Sequence, residues 1–339
     1  MLTKYLYLYL LGAKILLGAG YPNLISEILF VLKQNFKVTF VSSVVTSPFP
    51  KGGVIGAFGE KCGETILIGY KYDLYEFKLH ADRWVQIDVE PHVKYNRWYA
   101  KSCILSNMMF LCGGYYFENT NELFQYDEGN TKLTLNPSDA TCPPTTTNRS
   151  SSLEVHGENR ILFVQNTCST KLPLNVGYGH TITNIGHNRV MLIGGFGNGN
   201  SSNRVFQGEL STNRKDVMWN ELECLGKARR WHISFKMNGS VYVAGGYNDI
   251  SNERLSTCER YDLKEMKWYK CQHSLPFALR LASVVVSTDE SIAVITGGKK
   301  EDRIYSDKVI IFTEDKGFVI FKAFSLRSVR YGHVSIRIQ

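Results

Sequence analysis

A short run of β-forming residues ending in a glycine doublet recurs down the chain. It reads MMFLCGG at 108–114, VMLIGG at 190–195, VYVAGG at 241–246 and AVITGG at 293–298. TILIGY, ending at Tyr70, is a weaker copy, and ILFVQN, ending at Asn166, is a degenerate one. The first-glycine positions fall at 69, 113, 165 (degenerate), 194, 245 and 297, about 50 residues apart except for one short step after 165. A period of that length marks an array of equivalent units, each unable to bury its apolar face without its neighbours.

Each unit carries more than its doublet. Downstream, an aromatic is followed seven positions later by a large apolar residue: Phe77 and Trp84, Tyr126 and Leu133, Tyr261 and Trp268, Phe312 and Val319. A polar turn such as Asp262-Leu263-Lys264-Glu265 lies between them, so each pair is expected to stack across a β-hairpin. Upstream of the doublets an R-x-x-[H/A/S] signature opens another strand. It is seen at Arg97–Ala100, Arg149–Ser152, Arg229–His232, Arg280–Ser283 and Arg330–His333, with Gly177–His180 in the remaining unit. Every repeat therefore spells four strands.

Composition agrees. Of 339 residues 44% are apolar and 21% charged, which excludes a disordered chain, while 19 Tyr, 18 Phe and 29 Gly favour strands joined by tight turns. The net charge of +8 is too mild for a nucleic-acid arm.

A glycine doublet after four β-formers, an aromatic, then Trp after six intervening residues resembles the kelch repeat. The fullest copy is residues 229–271, and the pattern extends over roughly residues 60–339. The resemblance implies an all-β propeller of four-stranded blades. Departures are the unit opening at Arg149, which lacks a second hairpin, the unit opening at Gly177, lengthened over Ser211–Val217, and Tyr70 in place of a second glycine. The terminal RYGHVSIRIQ opens a strand with no blade after it, so it is expected to close a ring of six blades. Closure matters because an open ring leaves unpaired edges. Residues 51–339 are assigned to the propeller and 1–50 to an apolar extension, with a short helix expected where Leu24, Ile25, Ile28, Leu29 and Leu32 repeat at helical spacing after Asn23.

The apolar run Tyr5–Ala19, interrupted by Lys14, is too short for a membrane span. The expected location is the cytoplasm, with secretion as the alternative if residues 1–20 act as a signal peptide. Cys258 and Cys271 flank the Tyr261/Trp268 hairpin about the same midpoint, so their thiols are expected to face each other: bridged in an oxidising compartment, small apolar neighbours otherwise.

No G-x-S-x-G elbow, P-loop or H-E-x-x-H is present, nor any Cys/His cluster with zinc spacing. His180, His232 and His333 share one repeat slot, which points to equivalent structural work rather than a metal site. No catalytic residue, cofactor or metal is assigned. The expectation is a non-enzymatic protein-binding module, a scaffold or adaptor. The alternatives are a propeller enzyme of the copper-oxidase or sugar-epimerase type and an extracellular recognition domain.

The resemblance to the kelch modules of BTB–kelch ubiquitin-ligase adaptors implies that arginines in the opening slot recognise acidic peptide segments. Carried over position by position, these are Arg97, Arg229, Arg280 and Arg330, with a ubiquitin-ligase or cytoskeletal link implied by the family. Residues 1–50 are too few for a BTB domain. Tyr115, Tyr116, Phe196, Tyr247 and Asn248, just after the doublets, are expected on the same face as aromatic and polar anchors. Trp98 and Trp231, next to arginines, are placed to stack on them.

Overall fold

A computed structural model describes strands within residues 5–168 together with Tyr99, and residues 178–337 except 198, 213–216, 327–328 and 330. Side chains are described at Glu60, Tyr99, 101–105 and through the second span apart from 323–324 and 337. The chain is all-β, with no helix among the described residues.

Alternation builds the blades. In Thr181–Gly186 and Ile233–Met237 every second side chain is buried, the period of a strand with one packed face. The following strands, Arg189–Ile193 and Ser240–Ala244, are buried almost throughout because blades cover both faces. Three blades are complete four-stranded antiparallel meanders: 181–186/189–193/205–210/217–222, 233–237/240–244/258–262/267–270 and 283–286/293–296/308–313/317–325. A fourth is formed by 58–62/65–70/73–78/83–89.

The hairpin pairs follow the repeat. Phe77 faces Trp84, and Tyr261 faces Trp268 with ring centroids 5.0 Å apart. The last blade differs: Phe312 faces Phe318, 4.5 Å between rings, and Val319 is exposed. Its turn is one residue shorter, closed by Gly317 at φ 67, which shifts the partner by one position. Leu133 lies outside the described residues.

Six innermost strands, 58–62, 101–105, 181–186, 233–237, 283–286 and 335–337, neighbour one another in turn, and the last adjoins the first. The ring is thus closed by the C-terminal strand. That strand pairs with Ala13–Leu17, in register Ile15↔Arg337, in a sheet with Tyr5–Leu10 and Phe40–Ser43. Part of the apolar amino-terminal run therefore serves as strands. The helix expected over Leu24–Leu32 lies outside the described residues. The unit opening at Arg149 makes no blade of its own. Its strands Ser150–His156 and Arg160–Cys168 run parallel to Leu123–Asp127 and Arg83–Val89 and join two blades edge to edge.

The core lies between blades. Phe235, Tyr242 and Phe312 pack with ring centroids 4.9–5.4 Å apart, over buried Ile295 and Ile310. The doublets are glycines because blades meet there. Gly245 and Gly246 have φ 70 and 99, and a Cβ on Gly245 would lie 2.3 Å from the Leu279 carbonyl oxygen.

Candidate functional site

The doublets and strand openings converge at one mouth of the channel. Single bridges join Tyr178 to Phe196, Arg230 to Tyr247 and Arg280 to Lys299, each linking a strand opening to the residue after its doublet. The next residue, Gly179, Trp231 or Leu281, is left-handed, with φ 73, 56 and 57; Tyr99 and Gly332 have φ 62 and 60. A backbone chain runs through this slot. Trp231 N–H donates to Gly179 O (2.7 Å), Leu281 N–H to Trp231 O (2.8 Å) and Gly332 N–H to Leu281 O (2.7 Å). Left-handed backbone costs a side-chain-bearing residue about 1–2 kcal/mol, and these blade-to-blade bonds hold Trp231 and Leu281 in it. Strain of this kind concentrates at ligand-binding positions.

The same bridges correct the register of the arginines. Tyr178, Arg230, Arg280 and Tyr331 each precede a left-handed residue, whereas Arg229 sits one position earlier. Arg280 therefore matches Arg230, not Arg229. The one-residue difference separates two roles.

Arg229 is fully buried. Its Nη1 donates to Gly245 O (2.9 Å) and Thr257 O (3.2 Å), and its Nη2 to Glu259 Oε1 (2.5 Å). Glu259 also accepts from Gly226 N–H at 2.7 Å. Arg229 thus ties the strand opening to the doublet and third strand of its own blade and presents nothing to a partner. Asn248 is likewise buried, its Oδ1 accepting from the N–H groups of Ile250 and Ser251 across its turn.

Arg230 and Arg280 form the site. The Arg230 guanidinium lies 3.8 Å from the Trp231 ring centroid, 4.4 Å from Phe196 and 5.7 Å from both Tyr178 and Tyr247. It donates to Asp249 Oδ1 (2.5 Å) and to the Tyr178 hydroxyl (2.8 Å). Arg280 lies 5.3 Å from Trp231 and 5.1 Å from Tyr247, so Trp231 and Tyr247 are shared by both arginines. Arg280 Nη2 donates to Asp302 Oδ1 at 2.8 Å, and Lys299 and Arg254 reach the same carboxylate at 3.3 and 3.4 Å. Those cations hold the Asp302 carboxyl below the usual carboxylate range, Lys299 foremost; burial lowers the Arg280 pKa. Three N–H donors here, Arg230 Nε, Arg280 Nε and Trp231 Nε1, are buried without an acceptor.

Of the residues singled out in the sequence, Phe196, Tyr247, Trp231 and Arg280 come together here. Arg97, Arg330 and Trp98 lie outside the described residues. Tyr115 and Tyr116 form a two-residue ribbon with Glu118–Asn119, with their side chains undescribed. The sequence reading missed Arg230, Tyr178, Asp249 and Asp302. The signal was the consecutive Arg229-Arg230-Trp231, which an alignment on the histidine alone folds into one slot.

Two of the slot histidines tie neighbouring blades together. His232 Nε2 bonds Thr181 Oγ1 and His333 Nε2 bonds Thr296 Oγ1, both at 2.8 Å across neighbouring blades. Burial, then Arg229, His180 and Lys101, keep His232 neutral by pushing its pKa well below 6.5. Burial also raises Glu60 to about 8 and lowers Lys101. Among the described residues no group of three or more His, Cys, Asp or Glu is placed to hold a metal ion, and no helix is long and apolar enough to cross a membrane.

A family model for the kelch motif matches residues 236–273. The chain carries a kelch motif in this segment and has a β-propeller fold. The matched segment covers most of the 233–270 blade that carries Tyr247 and Asp249. Over 169 residues, 47% of its length, the chain is 30% identical to N-acetylneuraminate epimerase from Salmonella arizonae (strain ATCC BAA-731 / CDC346-86 / RSK2980); the match spans 41% of that relative's length. A solved structure of YjhT superposes with a TM-score of 0.59 at 13% identity, covering 85% of this chain and 88% of that one, a likeness of fold. The expectation of a protein with no catalysis of its own is corrected by this similarity to a relative named for an enzymatic activity.

Proposed function

We propose that this kelch propeller binds an acidic sugar at the arginine–aromatic mouth of its channel and interconverts its epimers, with N-acetylneuraminate the first substrate to test. The observation that carries this reading is the interleaving of Arg230, Trp231, Tyr247 and Arg280. Guanidinium groups recognise a carboxylate through paired donors, and flat aromatic faces receive the apolar side of a sugar ring. The similarity to N-acetylneuraminate epimerase supports the same substrate class.

Inverting an anomeric centre requires ring opening. A proton leaves the anomeric hydroxyl, the ring carbon–oxygen bond breaks, the ring oxygen takes a proton, and closure on the other face reverses these steps. Carboxylate and phenol groups do such work. Asp249, held by Arg230 and by the Ser201 hydroxyl (2.5 Å), and Tyr178, whose hydroxyl oxygen accepts from Arg230, are the candidates at this mouth. An adaptor reading has less support: Arg229, one of the arginines it needs on the binding face, is enclosed in its own blade, and the matched relative is named for an epimerase activity.

The test follows anomeric equilibration of freshly dissolved N-acetylneuraminate by proton NMR with catalytic protein. Acceleration over buffer is expected, reduced at least about tenfold in Arg280→Ala and in Trp231→Ala, each carrying a binding contact worth at least about 1.4 kcal/mol. A rate equal to buffer overturns the proposal.

A further inference from the structure

The three arginine–carboxylate pairs of this region differ in one respect. Arg229–Glu259 is buried on both sides, and Arg230–Asp249 nearly so, with side chains 11% and 17% exposed. In the third pair the Arg280 side chain is 10% exposed but its partner Asp302 is 72% exposed. Asp302 stands at the turn of a small ribbon, 299–301 paired with 304–305, that rises from the doublet beside the site. A nearly buried guanidinium with an unpartnered Nε is therefore capped from the solvent side by one displaceable carboxylate. An exposed carboxylate leaves such a pair at little cost, because water solvates it as it goes. Around that carboxylate stand three cations, Arg280, Arg254 and Lys299, within 2.8–3.4 Å. One carboxylate does not neutralise them.

We propose that Asp302 is an internal stand-in for the ligand's carboxylate, occupying the Arg280 anion position in the empty protein and yielding it to the incoming acidic ligand. This rests on the reading of the mouth as an acidic-sugar site and adds its regulation. The ligand must compete with the protein's own side chain, so apparent affinity falls by the fraction of time Asp302 holds Arg280. The arrangement selects for carboxylates able to add ring contacts on Trp231 and Tyr247. A bare carboxylate gains nothing over Asp302, whereas an acidic sugar does.

The experiment measures acetate and N-acetylneuraminate binding to wild type, Asp302→Asn and Asp302→Glu by calorimetry, with tryptophan fluorescence as a second signal. Melting temperatures serve as a fold control, and the exposure of Asp302 makes little change expected. Asp302→Asn, nearly the same shape without the charge, should bind both anions about tenfold more tightly if Asp302 occupies the position nine-tenths of the time. Asp302→Glu, which restores a carboxylate, should return towards wild type. Affinity in Asp302→Asn equal to or below wild type overturns the stand-in, as does absence of binding in every variant. Tighter acetate in Asp302→Asn with no N-acetylneuraminate binding supports the stand-in and overturns the sugar reading. N-acetylneuraminate bound equally by all three supports the sugar reading and overturns the stand-in.

Discussion

Arg229 and Arg230 are consecutive in the chain and serve opposite faces of the same strand opening. The first is enclosed by Gly245 O, Thr257 O and Glu259; the second lies under Trp231 and Phe196 at the channel mouth. Adjacent residues of an extended strand point to opposite sides, so one guanidinium is committed to the blade and the next to the site.

The two should separate in mutation. Arg229→Ala leaves Glu259 charged in a buried position and should cost about 3–5 kcal/mol in urea unfolding. Arg230→Ala should cost clearly less, since Asp249 keeps its bond from Ser201 Oγ and more solvent. It should instead weaken N-acetylneuraminate binding. Equal stability losses would contradict this division of labour.

The periodic features were legible in the sequence, and the single-residue ones were not. Doublets, hairpin aromatics and the orphan strand at the carboxyl end pointed to a closed propeller because each reports a backbone requirement: a positive φ, a cross-strand stack, an edge to be covered. The count of six took the unit opening at Arg149 for a blade, whereas the sixth sheet is built by amino-terminal strands on the carboxyl-terminal one. The arginine slot failed because Arg229, Arg230 and Arg280 are the same residue type one position apart. Only the bridges Arg230↔Tyr247 and Arg280↔Lys299 show which of them share a register. Asp249 and Asp302 were invisible for another reason: they sit in ribbon turns, which carry no periodic signal. The Phe312 hairpin misled by one residue because Gly317 shortens its turn.

The doublet glycines make a sharper stability test. Gly245→Ala demands a left-handed alanine and brings a methyl to 2.3 Å from Leu279 O and 2.9 Å from Leu275 Cδ1, where backbone cannot yield. A loss of at least about 2 kcal/mol is expected, from left-handed strain plus overpacking. Gly239→Ala, also at positive φ (75) but with open space around its Cβ, should lose only the strain, about 1–2 kcal/mol. Thermal unfolding of the two variants side by side checks the order, and Gly239→Ala proving the worse would refute the inter-blade contact.

Cys258 and Cys271 should differ in reactivity although they face each other. Cys271 N–H donates to Cys258 O at 3.0 Å, and both are free thiols. The bond between the thiols, then burial, pushes Cys258 well above 9; the same bond lowers Cys271, which is also partly exposed. The thiolate is the reacting form. Brief alkylation of folded protein near pH 8, read by peptide mass mapping, should label exposed Cys224 and then Cys271 and leave Cys258 until unfolding. Cys258 labelled as fast as Cys271 would rule out this arrangement.

Glu60 predicts a pH dependence with a definite sign. Its pKa is about 4.5 unfolded and about 8 folded, raised by burial against a bond from Ser102 that lowers it. Between those values the folded chain binds the extra proton, so Glu60's contribution to stability is fully present below about pH 4.5. It is lost progressively as the pH rises to about 8 and stays flat above. His232 acts in the other sense: its lowered pKa makes the folded state lose stability as the pH falls through 6.5. The raw stability curve therefore mixes the two, and the informative quantity is the difference between wild type and Glu60→Gln. That variant keeps the shape and removes the titration, so it should gain relative stability steadily from pH 5 to 8 in urea unfolding. A difference independent of pH over that interval would show that Glu60 is ionised at neutral pH and that its strand is solvated.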